Sequence, residues 1–154
     1  KPYTAIDSVH TDPLDPVPAY EAAAVLTDFP ADAVDALLST TGPGTGSPQV
    51  LVEVRQMGGA TGRPGDHESA FCSRDAAYCL LTVGIAGTPG LEEHSAGVLE
   101  SLRPWIGGHR MPNFTFSAAD YADAYDEETL ARLRATVEKY DPLRVMRIGH
   151  AVTG

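Results

Sequence analysis

Between Gln49 and Met57 the chain alternates with a period of two. Val50, Val52 and Val54 fall on one side, and Leu51, Glu53, Arg55 and Met57 on the other. Successive side chains of a strand leave opposite faces of the pleat, so this period predicts a strand with two unlike faces. Ala77 to Ala86 reads as a second strand rich in β-formers, with Tyr78, Leu80, Thr82 and Gly84 opposite Cys79, Leu81, Val83 and Ile85. Gly58-Gly59 stops the first strand, and residues 61–69 make a polar loop before the second.

Helical stripes supply a cover for these strands. Asp28-Phe29-Pro30 starts a helix, since proline suits a first turn, and Ala33, Val34, Leu37 and Leu38 form its apolar stripe. Thr88-Pro89 opens a second helix running to about Trp105, with Leu91, Val98, Leu99 and Leu102 inward. A short strand is expected near Met111–Thr115, after the Gly107-Gly108 break. Ser117 with Asp120 caps a short helix. Asp126, Glu127 and Glu128 begin the next, where acids meet the positive end of the helix dipole. Leu130, Leu133, Val137 and Tyr140 step by three and four along it, Asp141-Pro142 ends it, and Leu143–Ile148 is a last extended piece. Ala19 to Leu26 fits a strand or a short helix. Residues 1–20, rich in Pro and Asp, read as an extended lead-in in which Tyr3, Ile6 and Val9 act as anchors. The expected fold is α+β: an antiparallel sheet covered on one face by helices. The other face is left for solvent, a cofactor or a second domain.

A length of 154 residues suffices for one domain with a real core. The net charge of -10 argues against a general binder of nucleic acid or anionic membrane, which needs clustered Lys and Arg. No apolar run approaches membrane-spanning length. The first residues, Lys1-Pro2-Tyr3, include no Met and no signal-peptide core, so the chain is expected to begin inside a longer reading frame or to have been trimmed. A soluble protein, cytoplasmic rather than secreted, is the expectation. Cys72 and Cys79 show no CxxC spacing and read as two small buried hydrophobes, with a bridge between them left open. His10, His67, His94, His109 and His150 form no ligand pair, so no metal site is expected.

Three places carry candidate chemistry. Glu53 and Arg55, two apart on a strand, project from the same face and pair a carboxylate with a guanidinium, which suits a polar substrate or a surface salt bridge. Thr82 projects from the second strand and joins them as a candidate pocket-lining group. Asn113 offers amide donors and an acceptor between Pro112 and Phe114, fitting a polar ligand or the cap of a turn. No catalytic base is assigned.

Four stretches in order resemble one known family. Lys1-Pro2-Tyr3-Thr4-Ala5 is similar to a "PYTALQ" stretch, and Val52 to Ala60 to a "VELRxLGGA" strand. Ala70 to Tyr78 is similar to "AFxHRDAxY". The tail, from Trp105 through Pro112-Asn113-Phe114 to Lys139-Tyr140-Asp141-Pro142, resembles a "PNF … KYDPxxVFRxNH" ending. Together they resemble the C-terminal part of the berberine-bridge-type FAD-linked oxidoreductases of the vanillyl-alcohol-oxidase class. The resemblance implies a two-domain flavoenzyme whose FAD domain lies mostly upstream and whose second domain lays its sheet over the flavin. Residues 1–9 would then lead in from the FAD domain, 10–103 form the substrate domain, and 104–154 return to the FAD domain. It also implies FAD contacts at Asn113 and at the Met111 position, and a structural role for Arg74. The family's Tyr, His and Asn are replaced here by Met111, Ser73 and Gly149. A methionine is no base.

Two functions follow. In the first, the chain supplies the substrate-binding and C-terminal part of an FAD-dependent oxidase or dehydrogenase. That enzyme would move hydride from a small alcohol, amine or sugar-like substrate to FAD, with O2 as acceptor. Its partner is an FAD-binding domain, in the same chain or another. In the second, the chain is a stand-alone, non-catalytic module that keeps the fold and buries its former interface by forming a homodimer.

Overall fold

The computed structural model describes residues 2–8, 15–114 and 121–146. Its elements run β1 (Ala19–Leu26), α1 (Ala31–Thr41), β2 (Leu51–Gln56), β3 (Tyr78–Ile85), α2 (Leu91–Ser101) and α3 (Glu127–Tyr140). The three strands form one antiparallel sheet in the order β1-β3-β2, so β3 is central. The fold is α+β as expected, and Ala19–Leu26 is a strand.

The registers fix which side chains share a face. Val52 and Ala22 flank Thr82, and Val54 and Ala24 flank Leu80. These even-numbered residues face α1 and α2. The core gathers there: Leu26, Ala33, Leu37, Leu80, Val98 and Leu102, with Phe29, Val54, Tyr78 and Trp105 packed around it. Phe29 and Tyr78 meet ring to ring at 5.7 Å. Gly84 continues this face, and a Cβ there would run into the Leu91 side chain. The missing side chain is what lets α2 lie close on β3.

Several boundaries depart from the sequence reading. In α1 the buried pair is Ala33 and Leu37, while Val34 and Leu38 are exposed, so the inward stripe is narrower than the apolar one. α2 begins at Leu91, not at Thr88-Pro89. Thr88 accepts from Leu91 in a tight turn, and Gly90 caps the helix at φ 75. Tyr3–Ser8 is a 3-10 turn with Tyr3 and Ile6 exposed, not an extended anchor. The expected strand near Met111 is a 3-10 turn, Pro112–Phe114. Pro112, the first residue of the turn, brings no N–H to a ladder, which disfavours a strand there. The Ser117–Asp120 cap, Val9, and the end of the last extended piece lie outside the described residues.

α3 opens on Asp126, whose side chain accepts from the Thr129 N–H at 2.7 Å. The hydrogen bond from the Thr129 N–H chiefly holds the Asp126 carboxyl below its ordinary range. No residue of α3 is fully buried, and Tyr140 is exposed. Among the described residues no helix is long and apolar enough to cross a membrane.

Candidate functional site on the open sheet face

The odd-numbered strand residues form the face turned away from α1 and α2, and they line up in cross-strand rows. Arg55, Cys79 and Val25 share one row, Glu53, Leu81 and Ala23 the next, and Leu51, Val83 and Glu21 the third. Glu53 and Arg55 clasp each other: Arg55 Nε donates to Oε1 at 2.7 Å and Nη2 to Oε2 at 2.8 Å. This fork is the geometry guanidinium and carboxylate favour. The hydrogen bonds to Glu53 raise the Arg55 pKa, against the opposing pull of desolvation. The guanidinium also lies 5.1 Å from the centre of the Phe114 ring.

Phe114 arrives there because the chain after α2 wraps around the edge of β1. Thr27 donates to the Trp105 carbonyl at 2.9 Å and Gly107 to the Val25 carbonyl at 3.2 Å, pairing Ile106 with Leu26. Gly108 turns at φ 76, with Val25 against it. The buried Ser73 hydroxyl donates to the His109 carbonyl and ties the crossing to the loop before β3. Arg110 N–H donates to the Asp123 carbonyl at 3.2 Å. The Pro112–Phe114 turn then contacts β1. Tyr125 is buried beneath this wrap, and its hydroxyl donates to that of Tyr121 at 2.8 Å. Burial, then this bond, raises its pKa well above the tyrosine range. A cleft of about 740 Å³ lies between α2 and residues 108–110 and 122–125, floored by Ala23, Ala24 and Val25.

The structure pairs two of the five predicted site residues, and the neighbour of two more, Phe114, reaches that pair. Glu53 and Arg55 are paired on the open face. Asn113, exposed, and Met111, half-buried, belong to the turn that carries Phe114 onto Arg55. Thr82 does not join them. It lies on the opposite face, is fully buried, and donates to the Ala22 carbonyl at 3.2 Å. Its parity with Leu80 places it in the helix-covered core, so it lines no wall shared with Glu53. Arg74 does organise structure: it donates to the carbonyls of Thr61 and Arg63 at 3.2 and 2.7 Å and to Ser69 Oγ at 2.6 Å. Both cysteines are free thiols. Cys79 sits beside Arg55, yet burial raises its pKa more than Arg55 lowers it, so it stays a thiol rather than a nucleophile. Sequence reasoning missed Phe114 and Tyr125. The first stands next to Asn113, but nothing in its spacing marks it as a partner of Arg55.

These residues fit one end of a flavin and not the other. Asn113 offers an exposed amide to a ring edge, from the turn whose Phe114 lies against Arg55. A pyrophosphate needs a glycine-rich turn into a helix. The turn of that kind here, Gly87 to Gly90, leads into Glu92 and Glu93 in the first turn of α2, which repel a phosphate. No group of three His, Cys, Asp or Glu among the described residues could hold a metal.

Solved structures share this architecture. The BBE-like 1 protein of Physcomitrella patens, as wild type and as a variant, matches with TM-score 0.66 at 17% identity, over 88% of this chain and 30% of that one. A carbohydrate oxidase from Microdochium nivale, in complex with a substrate analogue, matches with TM-score 0.65 at 18% identity, over 91% of this chain and 33% of that one. No family model and no curated protein matches the chain. The chain has the fold of one part of these BBE-like and carbohydrate-oxidase structures. It spans 30 to 33% of their length. The backbone thus has the fold that the motif resemblance implies.

Proposed function

We propose that this chain is the substrate-side and C-terminal part of an FAD-dependent oxidoreductase, with the cofactor held mainly by polypeptide outside residues 1–154. The observation that carries the reading is the convergence of the Glu53–Arg55 clasp, Phe114 and the Asn113 turn on one open sheet face. That face belongs to a fold shared with BBE-like and carbohydrate-oxidase structures roughly three times as long. FAD, when bound, supplies the hydride acceptor. This chain supplies the rest of the pocket. Asn113 hydrogen-bonds the polar edge of the ring. The clasp presents a fixed carboxylate and guanidinium to the hydroxyls or amine of a small alcohol, amine or sugar-like substrate. O2 is the proposed final acceptor. The exposed Leu51 and Ile85 on the open face, and the half-buried stripe of α3, are the surfaces on which the FAD-binding partner would sit.

The test is the visible spectrum and intact mass of material purified from its native source. A flavin spectrum, with a longer chain or a second polypeptide of FAD-domain size, is expected. Native material that consists of this chain alone and stays colourless when FAD is added overturns the proposal.

A further inference from the structure

Ser73 and Arg74 follow one another in the turn before β3 and hold different parts of the molecule. Arg74 grips the 61–69 loop through the Thr61 and Arg63 carbonyls and Ser69. Ser73 is 1% exposed, and its carbonyl accepts from Ala76 at 3.3 Å, which fixes the backbone that carries it. Its hydroxyl donates to the His109 carbonyl, 36 positions away. That carbonyl and the Arg110 N–H belong to one planar peptide unit. The N–H donates at 3.2 Å to the Asp123 carbonyl, next to the buried Ala124 and Tyr125. The 109–110 peptide is therefore held at both ends, by Ser73 at its oxygen and by Asp123 at its nitrogen. Four positions on, Phe114 closes its own turn by donating to the Met111 carbonyl at 3.0 Å.

We infer that Ser73 is a positioning residue of the open-face site: through the 109–110 peptide it holds Phe114 over the Arg55 guanidinium, and Asn113 with it. The step from Asn113 to a flavin rests on the function proposed above; the hold on Phe114 does not. A peptide bonded only at its N–H can swing about that bond, whereas one bonded at both ends cannot. Ser73 is buried, so water takes the place of its hydroxyl only if the loop opens. The tolerance at the far end is small. The Phe114 ring centre lies 5.1 Å from the guanidinium, and contacts of this kind hold within about 6 Å, so a shift of about 1 Å ends it. A serine that merely satisfied a carbonyl would affect stability and leave the folded site as it is.

Heteronuclear NMR of the isotopically labelled full chain separates the two roles, with the Arg55 Nε–H resonance as reporter. The Phe114 ring displaces that resonance upfield, and Phe114→Leu marks the full size of the displacement. Ser73→Ala is expected to lose most of it while the clasp with Glu53 persists. A Ser73→Ala chain that folds with the Arg55 resonance unmoved overturns the inference, whatever its stability. If that variant does not fold, hydrogen exchange on the unmodified chain decides. The Arg110 and Phe114 amides should open together, at the same free energy. A Phe114 amide that exchanges while Arg110 stays protected overturns the inference. In the flavoprotein proposed above, Ser73→Ala and Asn113→Ala should each shift the flavin absorption band, and the double variant no further than Asn113→Ala alone. A band that moves with Asn113→Ala but not with Ser73→Ala overturns the hold on Asn113. A colourless protein, or a band that Asn113→Ala leaves in place, counts against the proposed function and not against the hold on Phe114.

Discussion

The two faces of this one sheet answer to different demands. On the helix-covered face Leu26, Leu80, Val98 and Leu102 are fully buried, and even the polar member, Thr82, is satisfied internally. On the open face Val25, Cys79 and Leu81 are buried, but a charged clasp lies at one side and apolar side chains remain exposed at the end, Leu51 at 40% and Ile85 at 42%. Packing alone accounts for the first face: each residue has the size and polarity its neighbours require. It does not account for the second, where a bidentate ion pair under an aromatic ring adds little stability to a half-exposed surface. Residues that contribute little to folding but are held in fixed geometry are where chemistry or a partner should be sought.

Mutations can break or sharpen that contrast. Leu80→Ala, at the centre of the covered face, is expected to cost about 3 kcal/mol in a urea melt. A loss below about 1 kcal/mol would mean that α1 and α2 do not form the tight layer described. Gly84→Ala places a methyl against Leu91 and should cost about 1–3 kcal/mol, seen as a lower melting temperature with α2 amides exchanging faster. Thr82→Val removes the bond to the Ala22 carbonyl and should cost about 1 kcal/mol. In the flavoprotein proposed above, activity should be unchanged, and a selective loss of kcat would return Thr82 to the site. Glu53→Gln should shift stability by less than about 1 kcal/mol, yet reduce kcat/KM in the flavoprotein proposed above, which separates the open face from the covered one. The smallest effect is a labelling rate. Cys72, partly exposed, should react with a thiol reagent in the native state, whereas Cys79, at 1% exposure, should wait for unfolding although it lies on the open face.

Much of the covered face was legible in the sequence because its rules are local and periodic. The alternation through Val52 and Val54 and through Leu80 and Thr82 assigned both strands and their faces. Leu91, Val98 and Leu102 assigned the inner side of α2. The site was legible only in pieces. Glu53 and Arg55 share a face by parity, but whether Thr82 shares it depends on the cross-strand register, which one strand's pattern does not contain. The start of α2 was misplaced because Thr88 has the chemistry of a cap, while the backbone uses Gly87 and Gly90 at positive φ to turn sharply off β3. The meeting of Phe114 with Arg55 spans 59 positions of sequence, and it exists because Trp105–Gly107 grips the edge of β1 and aims the following segment across the face.

The central place of β3 also sets the order in which this molecule can form. β1 pairs with β3 from Ala19 with Ile85 to Leu26 with Tyr78, and β2 pairs with it as well. Neither outer strand has a partner until Tyr78–Ile85 has been made. On a ribosome, β1 and β2 would emerge as unpaired strands, and the alanine-rich Ala22–Ala24 and the valines of β2 would wait while the loop before β3 is synthesised. Long-range pairing of this kind is slow and leaves strands open to wrong partners. A nascent chain stopped before Tyr78 should therefore be a substrate for chaperones, and one extended past Ser101 should gather its sheet and its helical cover in a single step.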